Sequence, residues 1–370
     1  KKIINHINLY STFGVKVLSI DIPSGLNADT GSVKDFAVNA DVTVTFMGIK
    51  KGMLTHHGCE YSGQIILDSL DIPPESYEIL YAVNSTNCYA LHDDNSSVDK
   101  ILQSVNCDSF LERRKCNSHK GDFGHVLIVG GDEGYLGAAQ MAAEAAMRVG
   151  SGLVSVATRK SHAAQLSITV PEIMSHGVET LDELMPLIKR ANVIAIGPGL
   201  GQSEWAKLLF ARVLESDLPI IIDADGLNLL AEEEQSSENW VITPHPGEAA
   251  RLLKTNVATI QSDRFQSARN LNLKYKGPVV LKGAGSIVTN SRGYLYVCTA
   301  GNPGMSTGGM GDVLTGVIAG LIAQGVKIEV ATRTGVEIHA IAADRAADSG
   351  GERGMMATDL MPYLRELANP

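Results

Sequence analysis

The acid Asp312 sits where an acid can do chemistry. It lies near the end of AGNPGMSTGGMGDVL, residues 300–314, in which glycines and turn formers run straight into an apolar segment. Glycine tolerates positive φ and carries no side chain, so backbone amides in such a loop can approach a ligand closely. The residues that follow (Val313, Leu314, Val317, Ile318, Leu321, Ile322) recur at helical spacing. A glycine-rich turn feeding a helix N-terminus gathers free amides and the positive dipole end on one spot, which suits an anion. A carboxylate beside that spot can take the proton of an attacking hydroxyl. Taken alone, the motif is equally an ordinary glycine-rich loop.

The elements around it supply the context. Strand-like runs at 125–129, 153–157, 191–196, 218–222, 240–242 and 279–281 alternate with helical patterns, the order of βαβ units. Five of these runs end in glycines or polar residues: GGDEG, GPGLG, DADG, TPHPGE and KGAGS. Polar groups that recur at the carboxyl ends of parallel strands describe a site along one edge of a sheet. In TPHPGE, Pro244 and Pro246 hold His245 at a strand end, and Glu248 falls in the first turn of the next helix. GPGLG is not the GxGxxG dinucleotide fingerprint, and no GxxxxGK[ST] occurs, which excludes a P-loop enzyme. The small residues of 138–149 fit either close helix packing or close approach to a planar ligand.

Upstream, residues 15–20 read as a buried strand that delivers Asp21 into DIPSGLNADTG. Asp21 either caps that turn or contacts a ligand at the strand end, and Ser24 with nearby carbonyls offers oxygen ligands to a hard cation. Residues 42–46 and 64–67 are further strands, and His56 and His57 decorate a loop between them. A polar stretch from 75 to about 95 reads as a linker, and a short helix is expected over 98–111. The chain opens inside a helical pattern at residues 1–13, as a fragment would, so the start of the first domain is expected to be missing.

Composition narrows the class. With 370 residues and 44% hydrophobic content, the chain has room for two globular domains. Lys and Arg number 31 against 41 Asp and Glu, a net charge of -10, which argues against a nucleic-acid binder. The longest apolar run is too short to span a bilayer. Five scattered cysteines without metal spacing point to reduced thiols and a cytoplasmic protein.

The segments HKGDFGHVLIVGG, GPGLG, DADGLN, TPHPGE, KGAGS and NPGMSTGGMGDVLTG, in that order across 95–368, resemble the ribokinase-like superfamily. More narrowly, they are similar to its NAD(P)H-hydrate dehydratase branch. LSIDIPSGLNADTG resembles the end of an NAD(P)H-hydrate epimerase domain. The whole resembles bifunctional NAD(P)H-hydrate repair enzymes with the front of the epimerase domain absent. The resemblance implies an α/β fold: a ribokinase-like doubly wound sheet over 95–370, a linker over 76–94, and the C-terminal part of a Rossmann-like epimerase domain over 1–75.

It also implies a reaction, the dehydration of NADHX or NADPHX at the expense of ADP or ATP with Mg²⁺. By position, Asp312 matches the catalytic base and Gly311 the anion hole. Lys282, Gly283, Ala284, Gly285 and Ser286 match the nucleotide-binding segment. Ala138, Gly199 and His245 match positions lining the hydrated dinucleotide, and Glu248 matches a residue that organises magnesium through water. In the epimerase part, Asp21 matches the substrate-contacting acid and Ser24 a K⁺ ligand. Relatives imply a homo-oligomer, a tetramer. Two other classes stay open: a ribokinase-like kinase of a vitamin-precursor alcohol, which would leave a stable phosphate ester, and, for residues 1–75, a non-catalytic docking module.

Overall fold

The computed structural model describes residues 1–71, 111, 113–233 and 235–369, together with the strands at 88–92 and 100–102. Three sheets organise the described residues. The first is parallel, in the order β1 (Leu18–Ile20), β2 (Val42–Phe46), β3 (Gln64–Asp68). The strand expected to be buried at 15–20 is not. Leu18 and Ile20 are exposed on one face of β1, and only Ser19 between them is covered. The helix Lys2–Thr12 forms as expected, but Ile3 and Leu9 on its apolar side are exposed as well.

Two short strands, β4 (Cys88–His92) and β5 (Lys100–Leu102), come next. Both differ from expectation. β4 lies in the stretch read as a linker, and β5 in the stretch read as a helix; the remainder of that expected helix, apart from Leu111, falls outside the described residues. The strands join an antiparallel sheet with β12 (Val280–Leu281), β13 (Ser286–Thr289) and β14 (Leu295–Cys298), in the order β12-β13-β14-β4-β5. For β4, pairing with β14 overrides the local pattern, which is common for short segments whose partner lies far off in sequence.

The central sheet is six-stranded and parallel. Its strands are β6 (His125–Val129), β7 (Leu153–Thr158), β8 (Met174–Gly177), β9 (Val193–Ile196), β10 (Ile220–Ile222) and β11 (Trp240–Ile242). Their order, β11-β10-β9-β6-β7-β8, is doubly wound, with its switch between β6 and β9. Strands buried on both faces read as continuous apolar runs, and VIAI, III and WVI are buried throughout. Alternate residues feed two cores. Ile194, Ile196, Ile220 and Ile222 face one cluster, and Val193, Ala195 and Ile221 face the other. Val279, just before β12, bridges to Ile242 of β11, so the antiparallel sheet continues the edge of the parallel one.

Two helices on the second face bring the site together. Leu136–Arg148 packs along Met310–Ala323 so closely that a Cβ on Gly316 would fall 2.0 Å from the Ala142 carbonyl oxygen. Buried Ala139, Ala142, Ala143, Ala145 and Ala146 are therefore small for packing. Ala138, half-buried at the open end of the helix, lies beside Gly199 instead.

Candidate active site

The carboxyl ends of β9, β10 and β11 converge on the start of the Met310–Ala323 helix. Gly309 is its N-cap, at φ +94°, a left-handed conformation that glycine adopts without strain. Asp312 then falls in the first turn, where the helix amides have no partner inside the helix. Gly311 keeps the approach narrow, since a Cβ there would stand 3.1 Å from Lys282 Nζ and 3.3 Å from Asp223 Oδ2.

Four acids and one lysine share this space. Asp223, at the end of β10, is buried; its Oδ1 accepts from Lys282 Nζ at 2.7 Å and its Oδ2 from Thr315 Oγ1 at 2.9 Å. Desolvation opposes its ionisation most strongly, but the Lys282 ammonium together with the Thr243 and Thr315 hydroxyls holds the carboxyl below the usual range. Lys282 Nζ also stands 3.9 Å from Glu248 Oε2. Burial pushes Glu248 up to about 7, against the pull of Lys282. Asp312 is likewise pushed up to about 7, first by burial and then by the Asp223 charge, with Asp225 and Glu248 adding to it. A carboxyl poised near neutrality is what a general base needs.

His245 caps the helix Pro246–Leu252 and connects to the same cluster. Its Nδ1 accepts from the amides of Gly247 at 2.9 Å and Glu248 at 3.4 Å, so the ring proton resides on Nε2, 3.3 Å from Glu248 Oε1. The Glu248 carboxylate returns to the His245 amide at 2.8 Å, a reciprocal cap. Burial holds the imidazole below its ordinary value, which keeps it neutral. Asp225 accepts from the Gly201 amide at 2.9 Å and so ties the GPGLG turn to the acids. Gly199, at φ +57°, would drive a Cβ to 3.2 Å from that of Ala138.

The residues read from the sequence thus divide into two groups. Asp312, Gly311, Lys282, Glu248 and His245 meet at one point, flanked by Gly199 and Ala138. Asp21 and Ser24 lie elsewhere, on the turn after β1. There the Asp21 carboxylate accepts from the Lys50 ammonium, which lowers its pKa, and Lys50 also donates to Thr45 Oγ1 at 2.9 Å. Ser24 is exposed, with its carbonyl taken by the Val38 amide. Lys282, expected in the nucleotide-binding segment, is paired with Asp223 in this structure. That partner was visible in DADG, but nothing in the sequence ties it to a lysine so far along the chain.

Residues 126–366 match the family model described as NAD(P)H-hydrate dehydratase, and residues 1–52 match the one described as YjeF-related protein N-terminus. The bifunctional NAD(P)H-hydrate repair enzyme Nnr of Coxiella burnetii is 48% identical over 96% of this chain and 70% of its own length. The chain belongs to the family of bifunctional NAD(P)H-hydrate repair enzymes. It carries that family's dehydratase domain, preceded by sequence related to the epimerase. The family's Escherichia coli member is 42% identical over 100% of this chain and 68% of its own length. Among solved structures, an ADP/ATP-dependent NAD(P)H-hydrate dehydratase from Bacillus subtilis, co-crystallised with ATP and Mg²⁺, superposes with a TM-score of 0.63. It is 27% identical and covers 70% of this chain and 94% of its own. No helix among the described residues is long and apolar enough to cross a membrane.

Proposed function

We propose that this chain returns hydrated NADH or NADPH to the reduced dinucleotide by a nucleotide-driven dehydration, with Asp312 as the base. The observation that carries the reading is the Asp312 carboxyl, held near neutrality in the first turn of a glycine-capped helix beside the Lys282–Asp223 pair. In this scheme Asp312 takes the proton of the ring hydroxyl. The hydroxyl oxygen attacks the terminal phosphoryl group of ADP or ATP, and the bond to the leaving nucleotide breaks. Phosphate then departs with the electron pair of its bond to the ring carbon, the adjacent ring carbon gives up a proton to water, and the electrons of that C–H bond re-form the ring double bond. The free amides around Gly311 meet the charge that develops on the phosphoryl oxygens, where preorganised donors count most.

Segment 282–286 is the place for the nucleotide, and Ala138, Gly199 and His245 line the place for the hydrated ring. The site suits Mg²⁺ held largely by phosphates and water, a mode this ion favours. Glu248 would receive such waters, and among the described residues no three acids, histidines or cysteines form a closed cage. In the epimerase-related part we assign Asp21 to substrate and Ser24 to K⁺. A homo-oligomer in the cytoplasm completes the proposal; unpaired Cys59, Cys116 and Cys298 support a reducing compartment.

Product analysis tests it. One phosphate and one AMP (or ADP, from ATP) should appear for each reduced nicotinamide regained. Accumulation of a phosphorylated substrate with no return of reduced nicotinamide would mean a kinase instead.

A further inference from the structure

The segment assigned above to the nucleotide is built against the N-terminal region of the chain. Thr55 is buried, and its hydroxyl lies 3.1 Å from the Ala284 carbonyl oxygen and 3.0 Å from that of Gly285. The His56 amide donates to the same Ala284 oxygen at 3.1 Å. Thr55 Oγ1 in turn accepts from Arg264 Nε at 3.0 Å. The guanidinium goes on to the carbonyls of Leu281 at 3.1 Å and Lys282 at 3.3 Å, and to Gln261 Oε1 at 3.0 Å. The carbonyls of Leu281, Lys282, Ala284 and Gly285 are thus fastened by one buried arginine and by Thr55 and His56, which lie far earlier in the sequence.

The fit leaves no slack. Gly285, at φ +63°, would place a Cβ 1.9 Å from the Leu54 carbonyl oxygen, and Gly283 would place one 2.8 Å from Arg264 Nη1. Ser286 closes the loop from inside by donating to the Gly283 carbonyl at 3.0 Å. The Ala284 carbonyl and the Gly285 amide belong to one peptide plane and point opposite ways. Holding that carbonyl toward Thr55 and His56 therefore turns the Gly285 N–H away from the joint, as binding an anion requires. Neither family match covers Thr55 or His56, since one ends at residue 52 and the other begins at 126.

We propose that Thr55 is a positioning residue for the nucleotide: through Thr55 and His56 the N-terminal region of the chain holds segment 282–286 in its nucleotide-accepting shape. The inference rests on the reading of that segment given above. By linkage, nucleotide binding must tighten the joint as much as the joint favours the nucleotide.

The test uses the full chain with Mg²⁺, hydrated NADH and either ADP or ATP. Thr55→Val should raise the KM for the nucleotide about tenfold, the scale of one lost buried hydrogen bond. The KM for the hydrate should stay within about twofold, because that ligand is not held by the segment. Thr55→Ser should restore the nucleotide KM, which a merely space-filling threonine would not require. Ser286→Ala separates the two claims. If it weakens the nucleotide while Thr55→Val does not, the positioning role is wrong; if neither variant does, the nucleotide reading of the segment falls and the proposal with it. Hydrogen exchange on the unmodified chain is independent of how the variants fold. Saturating ADP or ATP should slow exchange of the His56 amide, and an unchanged rate overturns the proposal.

Discussion

A carboxyl that is half-ionised near pH 7 behaves differently in activity and in stability, and both follow from its neighbours. As the proposed base, Asp312 must be ionised to accept a proton, so kcat/KM should fall about tenfold per pH unit below about 7 and level off above it. The stability effect runs the other way. With its folded value raised, the native state keeps a proton that the unfolded chain has already lost. The stability this gives is full below the ordinary carboxyl range and is gone once pH has passed about 7. Asp312→Asn removes the titration. We expect it to lower kcat by about 10²–10⁴-fold, and to melt higher than the unmodified protein at about pH 8, with the margin shrinking toward about pH 4. Equal midpoints at the alkaline end would contradict the burial argument. Lys282→Ala leaves the buried Asp223 carboxyl without its counter-charge, a change that typically costs about 3–5 kcal/mol. Its midpoint should drop by several degrees even without nucleotide, and adding Asp223→Asn should return some of the loss.

The turn and helix that carry Asp312 were legible as soon as the glycines and the apolar period were read together. Gly309 does adopt the left-handed conformation that the glycine run suggested. Five of the six parallel strands were legible for a related reason, since strands buried on both faces leave uninterrupted apolar runs; β8 is polar and only partly buried and was missed, while the run at 279–281 joined the antiparallel sheet instead. What stayed hidden depends on partners distant in sequence. The Lys282–Asp223 pair, the pairing of β4 with β14 and the contact of Thr55 with Gly285 leave no local pattern. Exposure of Leu18 and Ile20 was equally hidden, because an apolar strand reads the same whether or not its face is covered. Among the small residues, Gly316 carries the sharpest expectation at this scale. Gly316→Ala must push a methyl into the Ala142 carbonyl and force the packed helices apart. About 1–3 kcal/mol of destabilisation is the usual outcome of such overpacking, readable as a lower denaturation midpoint, and the displaced Asp312 should lower kcat as well.

Across the whole molecule, both family-matched regions share one core. Ile49 and Leu54 are buried in the same cluster as Leu281, Ile287 and Phe265, so the N-terminal region is not a free appendage. Leu54→Ala should therefore cost about 2–5 kcal/mol and lower the melting of the dehydratase domain, not only of residues near it. A dehydratase transition that ignores this substitution would mean that the regions melt separately. The most direct measurement mixes the full chain with hydrated NADH, Mg²⁺ and ADP or ATP, and follows the near-ultraviolet absorbance of reduced nicotinamide beside the Asp312→Asn variant. Recovery should require nucleotide and disappear in the variant. Recovery without nucleotide, or at full rate in Asp312→Asn, would contradict the proposed reaction.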